Sequence, residues 1–89
     1  MDVSYFSIEQ AAGKSYGFLV FGEIPPEIVQ AFGQLLGLLP KPISPAHAVE
    51  SLKALQQALL QEGLTCGEVD YATEEEWEMR IDQLPAPIH

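Results

Sequence analysis

Residues 16–24 read Tyr16-Gly17-Phe18-Leu19-Val20-Phe21-Gly22-Glu23-Ile24. Aromatic and β-branched side chains suit a pleated strand, and this run is dense in them. A strand with one wet face alternates apolar and polar residues. Phe18, Leu19, Val20 and Phe21 do not alternate. The strand is therefore central in its sheet, or its second face meets a partner.

Upstream, residues 3–9 read V-S-Y-F-S-I-E, a second set of β-formers in partial alternation. Ala11-Ala12-Gly13-Lys14-Ser15 separates the two runs, and a short Gly-containing loop between strands predicts a β-hairpin. Five aromatics fall in this hairpin: Tyr5, Phe6, Tyr16, Phe18 and Phe21.

Downstream, Pro25-Pro26 ends the strand, and Pro26 fits the first turn of a helix, where its missing N–H costs nothing. Ile28, Val29, Phe32, Leu35, Leu36 and Leu39 then form a broad apolar band, so the helix is expected to be deeply buried or in an interface. Gly33 and Gly37 share a face and predict close backbone packing against the sheet or another helix. The segment is too short for a membrane dimer motif. Pro40-Lys41-Pro42-Ile43-Ser44-Pro45 is a stiff connector. Ser44 and Pro45 make an N-cap and first-turn pair. The second helix is expected from about Pro45 to Glu62, with Ala48, Leu52, Leu55 and Leu59 as its stripe, widened by Val49 and Leu60. Gly63 and Leu64 supply a Schellman-type stop.

Leu64 to Ala72 predicts a third strand weakened by Gly67, with Glu68 and Asp70 on one face. Thr73 and Glu76 form a capping box, and Glu74, Glu75 and Glu76 complement the dipole of a last helix. Its stripe is Trp77, Ile81 and Leu84, and Pro85 stops it. The order is β-β-α-α-β-α. We expect one α+β domain over residues 1–89. Its architecture is a two-layer sandwich with a three-stranded, mainly antiparallel sheet, about three helices and an extended tail at 84–89.

The chain has 89 residues and a formal net charge of −9. Hydrophobic residues make up 47% of it, ample for a core and more than a small monomer readily hides. Residues 1–45 carry a net −2, and residues 46–89 a net −7 with Glu74, Glu75, Glu76 and Glu78 together. Such a surface repels nucleic acid and anionic membranes, which need clustered Lys and Arg, and attracts basic proteins. One cysteine, Cys66, excludes an internal disulfide. The start, Met1-Asp2-Val3-Ser4-Tyr5, lacks signal-peptide features, and the expected location is the cytoplasm.

Motifs for chemistry fail on inspection. Gly13-Lys14-Ser15 resembles the end of a P-loop, but Ile8 stands where the first glycine belongs and a strand follows instead of a helix. Cys66 has no adjacent base apparent in His47 or His89. His47 and Glu50 reverse the Glu-x-x-His order of di-metal sites and occur once. Glu68 and Asp70 are better explained as charges that discourage strand aggregation than as an acid–base pair. No catalytic, metal or cofactor residues are expected.

The expected working surface is aromatic and acidic: Tyr5, Phe18, Phe21, Phe32, Glu74, Glu75 and Glu78. The expected function is a non-enzymatic, self-associating interaction domain, a subunit or adaptor. The expected partners are a second copy, as a homodimer through the sheet or first helix, and a basic protein. The alternatives are an acidic inhibitor, immunity-type protein or nucleic-acid mimic that occludes a basic site, and a dimeric small-ligand binder or enzyme with a pocket between helices and sheet.

Overall fold

The computed structural model describes residues 2–83. The expected tail at 84–89, with Leu84 of the last helical stripe, lies outside the described residues. Strand β1 spans Val3–Glu9 and strand β2 spans Lys14–Phe21. They pair antiparallel from Val3↔Phe21 to Glu9↔Ser15. The loop is one 3-10 turn at Ala11–Gly13, closed by the Gln10 N–H donating to the Lys14 carbonyl at 2.7 Å. Two successive residues are left-handed there, Ala12 at φ 65° and Gly13 at φ 71°.

Helix α1 spans Pro26–Leu38 and helix α2 spans Pro45–Gln61. Both begin on proline, and Ser44 caps α2 by accepting from the His47 N–H at 3.2 Å. The stop of α2 has both Schellman bonds. The Leu64 N–H donates to Leu59 at 3.1 Å and the Gly63 N–H to Leu60 at 3.0 Å, with Gly63 at φ 85°.

The expected third strand is present in two pieces, so the sheet has four strands among the described residues. Strand β3 is Thr65–Cys66 and strand β4 is Asp70–Thr73. Both pair antiparallel with β2, which makes β2 central, the first of the two placements that its unbroken apolar run allows. Residues 67–69 leave the ladder between them. The Gly67 N–H still donates to the Leu19 carbonyl at 2.8 Å, while the Gly67 carbonyl accepts from the Gln56 side chain at 2.5 Å. Helix α3 spans Glu74–Asp82 behind the capping box of Thr73 and Glu76.

Because side chains alternate across a strand, register assigns the two faces. Phe6, Ile8, Phe18 and Val20 share one face and pack with Phe32 of α1 and Leu52, Leu55 and Leu59 of α2. This is the main core. Tyr5, Ser15, Gly17 and Leu19 lie on the other face. There Trp77 of α3 stacks on Tyr5 and is 1% exposed. The mixed α+β class and element order are as expected, with α1 and α2 on one side of the sheet and α3 on the other.

Candidate functional site

The seven residues expected at the surface separate into three places. Phe18 is 0% exposed beneath α2 and Phe32 is 7% exposed. Both are core residues and leave the candidate surface, because Phe18 shares the covered sheet face and Phe32 is the inward residue of α1. Phe21 is half-buried at the end of the opposite face, paired with Val3 and Thr65. Tyr5, Glu74 and Glu78 do come together, and Glu75 stands exposed in the first turn of α3.

At this α3 side, the half-buried Tyr5 ring lies on Trp77, and Glu74 shares a shallow cleft of about 330 Å³ with Tyr5, Ser7 and Ser15. Burial pushes the Tyr5 phenol above its ordinary value, and the Glu74 and Glu78 carboxylates push it further. Glu74, Glu75 and Glu78 are exposed. Arg80, which the sequence reading did not single out, sits 4.7 Å from the Trp77 ring centroid and 3.0 Å from the Asp70 carboxylate. The Asp70 carboxyl is held below its usual value, first by the Tyr71 backbone N–H at 2.8 Å and then by Arg80. Glu68 lies in the break between β3 and β4, so the two acids do not share a strand. The strand-face reading of that pair is corrected.

The remaining chemical motifs can be placed as well. Gly13-Lys14-Ser15 runs out of the hairpin turn into β2. Cys66 is a half-exposed free thiol, and burial raises its pKa, opposite to the activation a nucleophile needs. Among the described residues, no three of His, Cys, Asp and Glu group to hold a metal. No helix among them is long and apolar enough to cross a membrane.

The α1–α2 side carries a feature that aromatic counting missed. Helix α1 turns Phe32 inward and Ile28 and Leu36 partly inward. Its other apolar residues stay out: Val29 is 46%, Leu35 38% and Leu38 84% exposed. Among the described residues, Gly33 and Gly37 have nothing within 4 Å of where a Cβ would stand, so the expected close packing at these glycines does not occur there. Between α1 and α2 runs a groove of about 270 Å³, walled by Ala31 and Leu35 on one side and Ala54 and Ala58 on the other. Ile28, Phe32 and Leu55 also line it, and its polar lining is Glu27 and Ser51.

The chain matches no family model, no curated protein and no solved structure.

The two sides differ in charge. Residues 26–61, which make up α1, α2 and their connector, carry Glu27 and Glu50 against Lys41 and Lys53, for no net charge. The whole formal charge of −9 therefore belongs to the rest of the chain. The molecule has a neutral, apolar helical side and an acidic side. The sequence signal for the first was present in the apolar surplus of α1, which exceeds what one helix stripe buries.

Proposed function

We propose that this chain is a non-enzymatic protein-interaction domain whose working surface is the α1–α2 side. One observation carries the reading: two large apolar residues of α1, Leu35 and Leu38, stand exposed on one flank, and Leu35 walls an apolar groove. Contiguous exposed apolar surface of this kind marks docking sites on water-soluble domains. A small-ligand pocket needs a few convergent polar groups in an enclosed cavity. The groove is open and lined mainly by Ala, Leu, Ile and Phe, which favours a protein side chain as its occupant.

The test replaces Leu35 and Leu38 by Glu, singly and together. Thermal melts followed by circular dichroism report the fold. Sedimentation velocity and binding of an apolar dye such as ANS report the surface. The wild-type chain is expected to associate or, if monomeric, to bind the dye, and the variants to lose that property while staying folded. A wild-type chain that neither associates nor binds dye contradicts the reading. So do variants that unfold, because their side chains would then be structural.

A second reading rests on the other side. Glu74, Glu75 and Glu78 are exposed on α3, with Glu74 and Glu78 near half-buried Tyr5. Asp70–Arg80 is the one ion pair among the described residues. Acids left free in this way favour a basic protein partner, in an adaptor or an occluding inhibitor. Such binding weakens steeply with salt, whereas docking through α1 and α2 does not.

A further inference from the structure

We infer that the occupant of the α1–α2 groove is a second copy of this chain, with the two α1 helices antiparallel about a two-fold axis and Leu38 of each copy seated in the groove of the other. The inference rests on the reading of that face as a docking surface and names its partner.

Charge selects the partner. A second copy also carries −9, so its approach is opposed over most of the surface. The segment without net charge, residues 26–61, is also the one that bears the groove. Two copies meeting there keep their acidic sides apart on the outside of the pair. A basic partner gains nothing from this face and is drawn to α3 instead.

Shape selects the symmetry. A two-fold interface uses one patch on both copies, so the patch must contain both a projection and a recess that fit each other. Leu38 is the projection, at 84% exposed, and the groove beside Leu35 is the recess. Along α1, Ile28, Ala31, Leu35 and Leu38 are spaced three, four and three apart. That is the a/d spacing of a seam between paired helices, and it flanks the inward stripe of Phe32 and Leu36. In an antiparallel pair centred between Gln34 and Leu35, Leu38 of one copy faces Ala31 of the other. Ala31 is the small residue that leaves room in the wall of the groove.

Polar ends agree with the same register. Glu27 lines the N-terminal end of the groove. Lys41 lies just beyond the C-terminal end of α1, with its ammonium donating to the Leu36 carbonyl at 2.7 Å. These two residues are at opposite ends of a helix about 20 Å long at 1.5 Å per residue, so they do not pair within one copy. Antiparallel packing brings Lys41 of each copy to Glu27 of the other. It also sets the positive end of each helix dipole beside the negative end of its partner.

Sedimentation equilibrium on the full chain, with circular dichroism of each variant, tests this. We expect a wild-type dimer. Leu38→Glu should raise the dissociation constant about a hundredfold or more and leave the fold intact. Glu27→Lys or Lys41→Glu alone should weaken the dimer about three- to tenfold, and the two together should restore it. That rescue does not follow from a change in monomer stability, because both swapped charges oppose the helix dipole. Gly33→Ala, on the other flank of α1, should leave the dimer unchanged. A monomer that binds ANS overturns the second copy and leaves the docking face standing for a foreign protein. A monomer that binds no dye overturns both. A dimer indifferent to Leu38→Glu, or one that the double swap weakens further, also overturns the inference.

Discussion

Trp77 lies flat against Tyr5, with ring centroids 5.9 Å apart and planes 12° apart. This contact joins the last helix to the first strand across the sheet face that α1 and α2 leave bare. It also divides the molecule by chemistry. Arg80, Asp70 and the glutamates gather around the Trp77 side, and the uncharged face of α1 is left on the other.

Loss of Trp77 should therefore detach α3. Truncation of a buried Trp costs about 3–5 kcal/mol, a large share of the stability of a small domain. Trp77→Ala should lower stability by that amount in urea melts followed by circular dichroism. Trp77→Phe should cost clearly less. It keeps an aromatic face for Tyr5 and removes an indole N–H that is buried with no acceptor among the described residues, and an unsatisfied buried donor costs about 1–3 kcal/mol.

Two glycines should respond in opposite directions. A Cβ at Gly33 meets nothing within 4 Å among the described residues, and alanine is favoured over glycine inside a helix by about 1 kcal/mol. Gly33→Ala should raise the melting temperature. A Cβ at Gly17 meets the Phe6 carbonyl and the Ser7 side chain across the β1–β2 pair. Gly17→Ala forces the hairpin apart and should cost about 1–3 kcal/mol. Differential scanning calorimetry of the two variants checks both signs.

The capping box should be worth a measurable increment. The Thr73 hydroxyl accepts from the Glu76 N–H at 3.1 Å, and the Glu76 carboxylate accepts from the Thr73 N–H at 3.2 Å. Thr73→Ala removes the hydroxyl and should destabilise by about 1 kcal/mol. Thr73→Ser should recover most of it in the same denaturation series.

Acid should weaken the α3 side through Asp70. Its pKa is lower folded than unfolded. It therefore adds stability above its unfolded value of about 3.9, and that increment is lost as pH falls through the lower folded value. The carboxylate is largely exposed, so the increment is at most about 1 kcal/mol. Asp70→Asn should be less stable than wild type near neutrality, and the gap should close below about pH 4. Glu76, lowered first by the Thr73 backbone N–H, follows the same sign. Denaturant melts of both chains across the acid range measure the gap directly.

Much of the fold could be read from local chemistry. The unbroken Phe18–Phe21 run called for a central strand or a strand whose second face meets a partner, and β2 is central. Ser44, Gly63 and Thr73 with Glu76 act as caps and stops because their bonds reach only a few residues along the chain. What could not be read depends on contacts between distant segments. The third strand breaks at Gly67, whose carbonyl is taken by Gln56 of α2. Trp77 marks a buried face of α3, but nothing near it in sequence says which side of the sheet it covers. Phe18 and Phe32 are aromatic like Tyr5 and Phe21, and only register and helix direction separate core from surface. The candidate surface was half legible for the same reason. The acids of α3 announce themselves by charge, whereas Leu35 and Leu38 look like ordinary core residues until α1 is seen to turn only Phe32 fully inward.

Solution mass tests the central claim most directly. Size exclusion with light scattering should be run at low and high salt on the wild-type chain and on Leu38→Glu. A wild-type dimer that persists at high salt, beside a folded monomeric variant, is the predicted result. A dimer that dissolves in salt, or that survives Leu38→Glu, would contradict the claim by placing self-association away from the neutral helical side.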